Sequence, residues 1–354
     1  MRGPVPRSLS LGAAVSVLAL LLPAASFAHH SIAAGFDPQQ VIEIEGELTA
    51  IRWQNPHILL TVAVTDTEGR KVSWELESLS ANGLGRTGVS AALFHLGDRI
   101  RVAGNPSRRG LDRVWATNLL LPSQQEIMFG GPPQRAPRWS ERVLRGSESA
   151  QTNEGTAANV ELGVFRVWSS GRNFLTRIPG VQNRNDPLSF PLTAEGRAAA
   201  EQRRPPADTV GCAPKTMPWI MTQPYPIEFV RQGDTVVLKI EEYDTVRTIP
   251  LAPVPEANTP SRLGHSVGQW EGSTLVVTTT HVAVGDFGSV GGGLIPLSSD
   301  ATFVERFTPS ADGAYLEYSL AITDPRYLNE AVTLEKRWLN VPGAQLLPYN
   351  CTQR

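Results

Sequence analysis

Two adjacent histidines stand where processing would make a new chain terminus. Arg2 and Arg7, the apolar run Leu11 to Leu22 and the small residues of Ser26-Phe27-Ala28 have the pattern of an export signal cut after Ala28. Cleavage there leaves His29 first and His30 second. A terminal histidine offers its α-amine and its ring Nδ1 to one ion in a single chelate, a donor set suited to copper(II) and other late transition metals. His57, next to the Asn55-Pro56 turn, would bring a third nitrogen. His29, His30 and His57 are therefore the candidate metal ligands, with copper as the implied cofactor. The plainer alternative is a frayed terminus that merely follows a cleavage site, and an imidazole that caps a turn.

A second group of chemically capable residues lies in the C-terminal half. Tyr243, Arg247, His265 and Arg306 are the candidate ligand-binding residues, and His265 with Glu271 or Asp244 is the candidate acid–base set. Histidine titrates near neutral pH, so a carboxylate beside it would make a general acid or base. Ser266 adjoins His265 but is no triad partner, because neighbours on a strand face opposite ways. The chain holds no Gly-x-Ser-x-Gly elbow, zinc-protease helix motif, Walker loop or dinucleotide fingerprint. A buried arginine–carboxylate pair that holds a barrel together is the structural alternative.

Composition narrows the classes. The 32 basic and 34 acidic residues nearly cancel and form no block, which argues against a nucleic-acid partner. The Leu11–Leu22 run is too short for a membrane span, which takes about 20 residues, and no lipid-attachment cysteine follows it. The expectation is a soluble periplasmic or secreted protein without a membrane span. There an isolated pair of cysteines, Cys212 and Cys351, most simply forms a disulfide, two unpaired buried thiols being the alternative.

Abundant glycine and proline, with short alternating apolar runs, predict an all-β chain. After a signal over residues 1–28, residues 29–122 read as a small OB-like barrel: three strands (Val41–Trp53, with Gly46 as a bend; His57–Thr65; Lys71–Glu77), a helical connection, then Arg99–Ala103 and Val114–Leu121. Residues 123–158, polar and rich in Gly and Pro, read as a flexible linker. Residues 159–354 read as a larger antiparallel up-and-down, lipocalin-like barrel, starting with a strand at Leu162–Trp168 and including a short helix capped by Thr193. A barrel of about eight strands can hold one small ligand. The expected function is accordingly binding of a small apolar or amphipathic molecule in the second barrel. An enzyme built on His265 and a copper-binding or structural envelope protein are the alternatives.

Several stretches carry a resemblance. His29-His30-Ser31, Trp53-Gln54-Asn55-Pro56-His57 and Trp74-Glu75, then Pro224-Tyr225-Pro226, Glu242-Tyr243-Asp244, Gly264-His265-Ser266-Val267-Gly268 and Trp270-Glu271-Gly272, are similar to an exported bacterial family of unknown function. The resemblance implies a two-domain exported design and no particular activity. Leu251 to Ser261 departs from it, holding Glu256 alone as a charge where relatives carry several.

Overall fold

The structure is a computed structural model that describes residues 35–131, 134–150, 152–172, 176–183, 186–202, 212, 214–252, 259–283, 286–288 and 294–352. The signal pattern over residues 1–28 and the pair His29-His30 lie outside the described residues.

Alternation of apolar and polar side chains builds the first barrel as expected. β1 (Ile42–Arg52), β2 (Leu59–Thr65) and β3 (Lys71–Glu77) form an antiparallel meander. Helix α1 (Ala81–Arg86) follows, then β4 (Arg99–Pro106) and β5 (Arg113–Leu120). β4 pairs with β1 and β5, and β5 runs parallel to β3, closing the ring in the order β1-β2-β3-β5-β4. This is the strand order of an OB fold. β1 passes close over β2 at Gly46, where a Cβ would fall 2.3 Å from the Ala63 carbonyl oxygen. Leu48, Leu60, Val62, Leu76 and Val102 fill the interior.

Residues 123–158 are not a loose linker. β6 (Glu126–Phe129) extends the sheet antiparallel to β5, and β7 (Val143–Gly146) lies parallel to β6. All four residues of β6 are buried. The polar composition conceals this because Glu126 goes in with them. Its carboxylate accepts the backbone N–H groups of Arg138, Trp139 and Ser140 at 2.8–3.1 Å. Burial pushes its pKa up, but those donors outweigh it and hold the carboxyl below its ordinary value.

The second barrel is an up-and-down ring of nine antiparallel strands. β8 (Val167–Ser170), β9 (Ile227–Gln232), β10 (Thr235–Ile240) and β11 (Thr245–Pro250) make one meander. β12 (His265–Glu271) and β13 (Thr274–Thr280) continue it; a small hairpin of β14 (Asp286–Gly288) and β15 (Leu294–Pro296) intervenes. β16 (Thr302–Pro309), β17 (Tyr315–Thr323) and β18 (Val332–Leu339) complete the ring, β18 pairing back onto β8. The first strand is shorter than the sequence suggests: Val160–Leu162 is a helical turn, and pairing begins at Val167. Helix α2 (Ala194–Gln202) is capped as predicted, Thr193 Oγ1 accepting the Gly196 N–H at 3.0 Å.

One seam interrupts the ring. β11 and β12 lie side by side but head the two ends of the hydrogen-bonded order. Side chains close what the backbone leaves open. Gly268 lets Ile249 and Leu251 lie against β12, since a Cβ there would meet them at 2.9 and 3.1 Å. Beneath them Arg247 on β11 donates Nη1 to Glu305 Oε1 at 3.0 Å and Nη2 to Glu305 Oε2 at 2.6 Å. The same Nη2 lies 3.2 Å from both Ser266 Oγ on β12 and Thr279 Oγ1 on β13, and Tyr318 donates its hydroxyl to Glu305 at 2.9 Å. Arg247 and Glu305 are both buried. Arg247→Met should therefore lower unfolding free energy by about 3–5 kcal/mol in urea titrations, because it strands a buried carboxylate. Adding Glu305→Gln should recover part of that loss, as no uncompensated charge then remains.

Candidate functional site

The residues expected to line a ligand cavity in the second barrel do not converge. Arg247 is consumed by the seam. Arg306, one residue after Glu305, points outward and donates to exposed Glu271 at 2.7 Å. Tyr243 sits in the turn before β11 with its ring 4.6 Å from that of Tyr349. Nor is the acid–base set assembled. His265 and Glu271 occupy opposite ends of β12, roughly 20 Å apart at strand rise, and Asp244 accepts the Tyr349 N–H at 3.1 Å. The barrel interior is filled by apolar side chains, among them Trp168, Phe229, Phe303, Phe307 and Trp338. A gap among Phe190, Ile295, Leu297, Ile322, Leu328 and Val332 measures about 10 Å³, too little for more than one water.

One large cleft lies between the two barrels. A cleft of about 650 Å³ is walled by Gly85-Arg86-Thr87, residues 148–150 with Thr152, Ser169-Ser170 of β8, Pro224 and Pro226, and Val341 to Gln345 with Leu347. Most of that surface is apolar. The polar residues of its lining are Arg86, Thr87, Glu148, Ser149, Thr152, Ser169, Ser170 and Gln345. Ser170 is buried, and its hydroxyl has no hydrogen-bond partner in the structure.

The local sequence explains how Glu148 gets there. Ser80 caps α1, its Oγ accepting the Gly83 N–H at 3.0 Å. The same serine donates its N–H to Glu148 Oε1 at 2.6 Å and its hydroxyl to Oε2 at 2.5 Å. Gly83 is what permits the approach, since a Cβ there would stand 2.7 Å from Ser147 O and 2.8 Å from Glu148 Cα. Burial raises the pKa of Glu148 above its ordinary value despite the serine donors, favouring the neutral acid.

The segment after β18 forms the opposite wall, strapped between the barrels by side chains that read as a simple turn in sequence. Asn55 is buried, donates Nδ2 to Tyr349 O, and accepts the Asn82 N–H at 3.1 Å. Asn82 Nδ2 reaches Glu241 Oε1 at 3.1 Å and Pro348 O at 3.2 Å. Glu241 also binds Arg86 and the Leu347 N–H, while Gln54 and Thr352 exchange two hydrogen bonds. Cys351, at the end of the strap, is bonded to Cys212 as the cysteine count predicts, the two Cα atoms 5.7 Å apart. Behind the strap Tyr225 stacks edge-on to Tyr349. Next to them Lys215 pairs with buried Glu242, whose pKa is raised by burial. Lys336 points into the same end of the barrel, its ammonium over the Trp338 ring at 4.3 Å and donating to Gln223 O.

Asn55, Ser80, Asn82 and Glu148 carry this arrangement, and sequence reasoning selected none of them for it. The capping signal at Ser80 was available, whereas Glu148 falls in the stretch whose polarity reads as linker. His57 is placed, its Nδ1 2.5 Å from Glu77 Oε1. The other two candidate metal ligands lie outside the described residues, and among the described residues no group of three or more His, Cys, Asp or Glu side chains is disposed to hold a metal. Among those residues no helix is long and apolar enough to cross a membrane.

Comparison with known proteins adds one assignment. Residues 17–114 match a family model described as a family of unknown function (DUF6152), a span that covers β1 to β4 and reaches the start of β5. A search of curated proteins finds no match.

The floor behind the strap is electrostatically tuned, and this has a measurable signature. Burial lowers Lys336 from its ordinary 10.5 to about 7, with Glu242 opposing the shift. Between those values the unfolded chain binds a proton that the folded chain has shed, so this group makes stability rise with pH from about 7 upward. Lys336→Met removes that contribution. In urea unfolding at pH 6.5, 7.5 and 8.5, the stability of Lys336→Met relative to wild type should decline as pH rises.

Proposed function

We propose that this chain is an exported binding protein that holds a small, uncharged, amphipathic molecule in the cleft between its two barrels. The observation that carries the reading is the cleft's chemistry: about 650 Å³, mostly apolar, with a carboxyl held toward its neutral form and an unpartnered buried hydroxyl. Binding sites for small molecules favour domain interfaces and combine apolar walls with a few placed polar groups. Pro224, Pro226 and Pro342 are rigid and lack N–H groups that a ligand would leave unpaired. A neutral molecule with one hydroxyl or carbonyl matches this lining, whereas an anion would face Glu148. Export is supported by the signal pattern before His29 and by the Cys212–Cys351 disulfide, which persists in oxidising compartments.

A neutral fluorescent amphiphile, N-phenyl-1-naphthylamine, tests the reading. Wild type should bind it saturably at one site, and Ala150→Trp, which fills the cleft from a half-buried position in its wall, should abolish binding while circular dichroism shows the variant folded. Affinity should fall as pH rises through the raised pKa of Glu148, because ionisation puts an unpaired charge against the ligand; Glu148→Gln should show no such fall. Equal dye binding by wild type and Ala150→Trp would defeat the proposal.

A further inference from the structure

We propose that Ser170 and Trp338 form a seat for one carbonyl oxygen at the inner end of the cleft, so that the molecule bound there is a ketone, aldehyde or ester with an apolar body. The seat rests on the reading that the cleft holds a small molecule, and it narrows the class of that molecule.

Ser170 on β8 and Trp338 on β18 stand directly opposite each other in the ladder that closes the ring. Opposed residues of an antiparallel pair point to one face of the sheet, with Cβ atoms about 5 Å apart. Each of the two is only 1% exposed. Neither the serine hydroxyl nor the indole N–H has a hydrogen-bond partner in the structure. Two neighbouring orphans of this kind are unusual, because a buried polar group normally finds its partner. Trp168 shows the ordinary outcome in the same barrel: its indole N–H donates to Val164 O at 2.8 Å. The Trp338 ring is also packed on its sides. Tyr318 lies edge-on to it with centroids 5.2 Å apart, and Lys336 Nζ stands 4.3 Å from its centroid.

The chemistry of the pair defines what fits. An indole N–H only donates, so the missing atom must be an acceptor, and a serine hydroxyl can rotate to donate to that same atom. A carbonyl oxygen has two lone pairs and no proton of its own to place, so it takes both bonds. An ammonium has no lone pair to offer the indole, and Lys336 beside it presents donors alone. Access comes from the cleft, whose wall includes Ser170. β9 pairs with β8 only at Val167 and Trp168, so beside Ser170 the ladder leaves a gap on that side. The apolar body of the ligand would lie along Pro224, Pro226 and Val341 of the same cleft.

The test compares two probes of nearly the same shape, 2-acetylnaphthalene and 2-ethylnaphthalene, by equilibrium dialysis against the full-length protein. A purely apolar cleft prefers the hydrocarbon. With the seat present, wild type should bind the ketone about 10-fold tighter, the effect of well-made hydrogen bonds in a buried site. Ser170→Ala, shown to be folded by circular dichroism, should reduce that preference to about threefold or less and leave the affinity for 2-ethylnaphthalene unchanged. Infrared difference spectra supply a second reading that does not depend on the variant. The carbonyl stretch of the ketone bound to wild type should lie at or below its position in water, and in Ser170→Ala it should move toward its position in hexane. Equal affinity for the two probes, as a single ordered water in the seat would produce, overturns the seat and leaves the cleft standing. A preference unchanged in folded Ser170→Ala, or a hexane-like stretch in wild type, does the same. Failure of both probes to bind, or binding that survives Ala150→Trp, defeats the cleft and the seat together.

Discussion

The second barrel depends on a charge pair in its interior. A ring of nine strands normally closes by backbone pairing on every side, yet between β11 and β12 the ladder is missing. Arg247 supplies what the ladder does not, reaching from one edge to β12, β13 and β16 at once. Taking a guanidinium and a carboxylate out of water is costly, and the cost is offset only where geometry is good and the remaining donors find acceptors. Here both Glu305 oxygens are engaged by Arg247, and one also accepts the Tyr318 hydroxyl. A hydrophobic pair would fill the same volume without specifying which edges meet. The charge pair fixes the register of the closure.

The space between the barrels follows from a different kind of constraint. The cleft lies where the two barrels are joined. Residues 341–352 run between them and are held from both sides, by Gln54, Asn55 and Asn82 of the first barrel and by Glu241 and Asp244 of the second. On the other wall Glu148 binds the cap of α1, which holds the chain after β7 against the first barrel. The hydrogen bonds that fix the two barrels relative to one another therefore also shape the cleft.

Much of the fold was legible because it is local. Hairpin turns such as Thr67-Glu68-Gly69-Arg70, the alternation of β16 to β18 and the cap at Thr193 each act within a few residues. The cysteine pair was legible by elimination. The candidate site was not, because its parts meet across the chain: Asn82 with Glu241, Asn55 with Tyr349, Ser80 with Glu148. No periodicity records such partnerships. Composition was misleading at β6, where one buried glutamate and a following run of polar residues disguise a strand. Arg247 and Arg306 looked equivalent as ligand contacts, yet one points into the barrel and the other to solvent.

The staves of the second barrel are unequal, and the shortest of them faces the cleft. β8 has four residues, and each has a strand partner on one side only: Val167 and Trp168 with β9, Ser169 and Ser170 with β18, while Ser170 O also accepts the Ala150 N–H at 3.0 Å. It also lies outside the loop that the Cys212–Cys351 bond closes, so no covalent tie restrains it. Local opening free energies vary across a native structure, and segments with few ladder bonds sit at the low end. The amides of Ser169 and Ser170 should thus exchange with solvent well before those of β16 and β17. Opening confined to the Ser169–Ser170 end of that stave, which leaves buried Trp168 in place, would widen the cleft while the rest of the barrel stays closed.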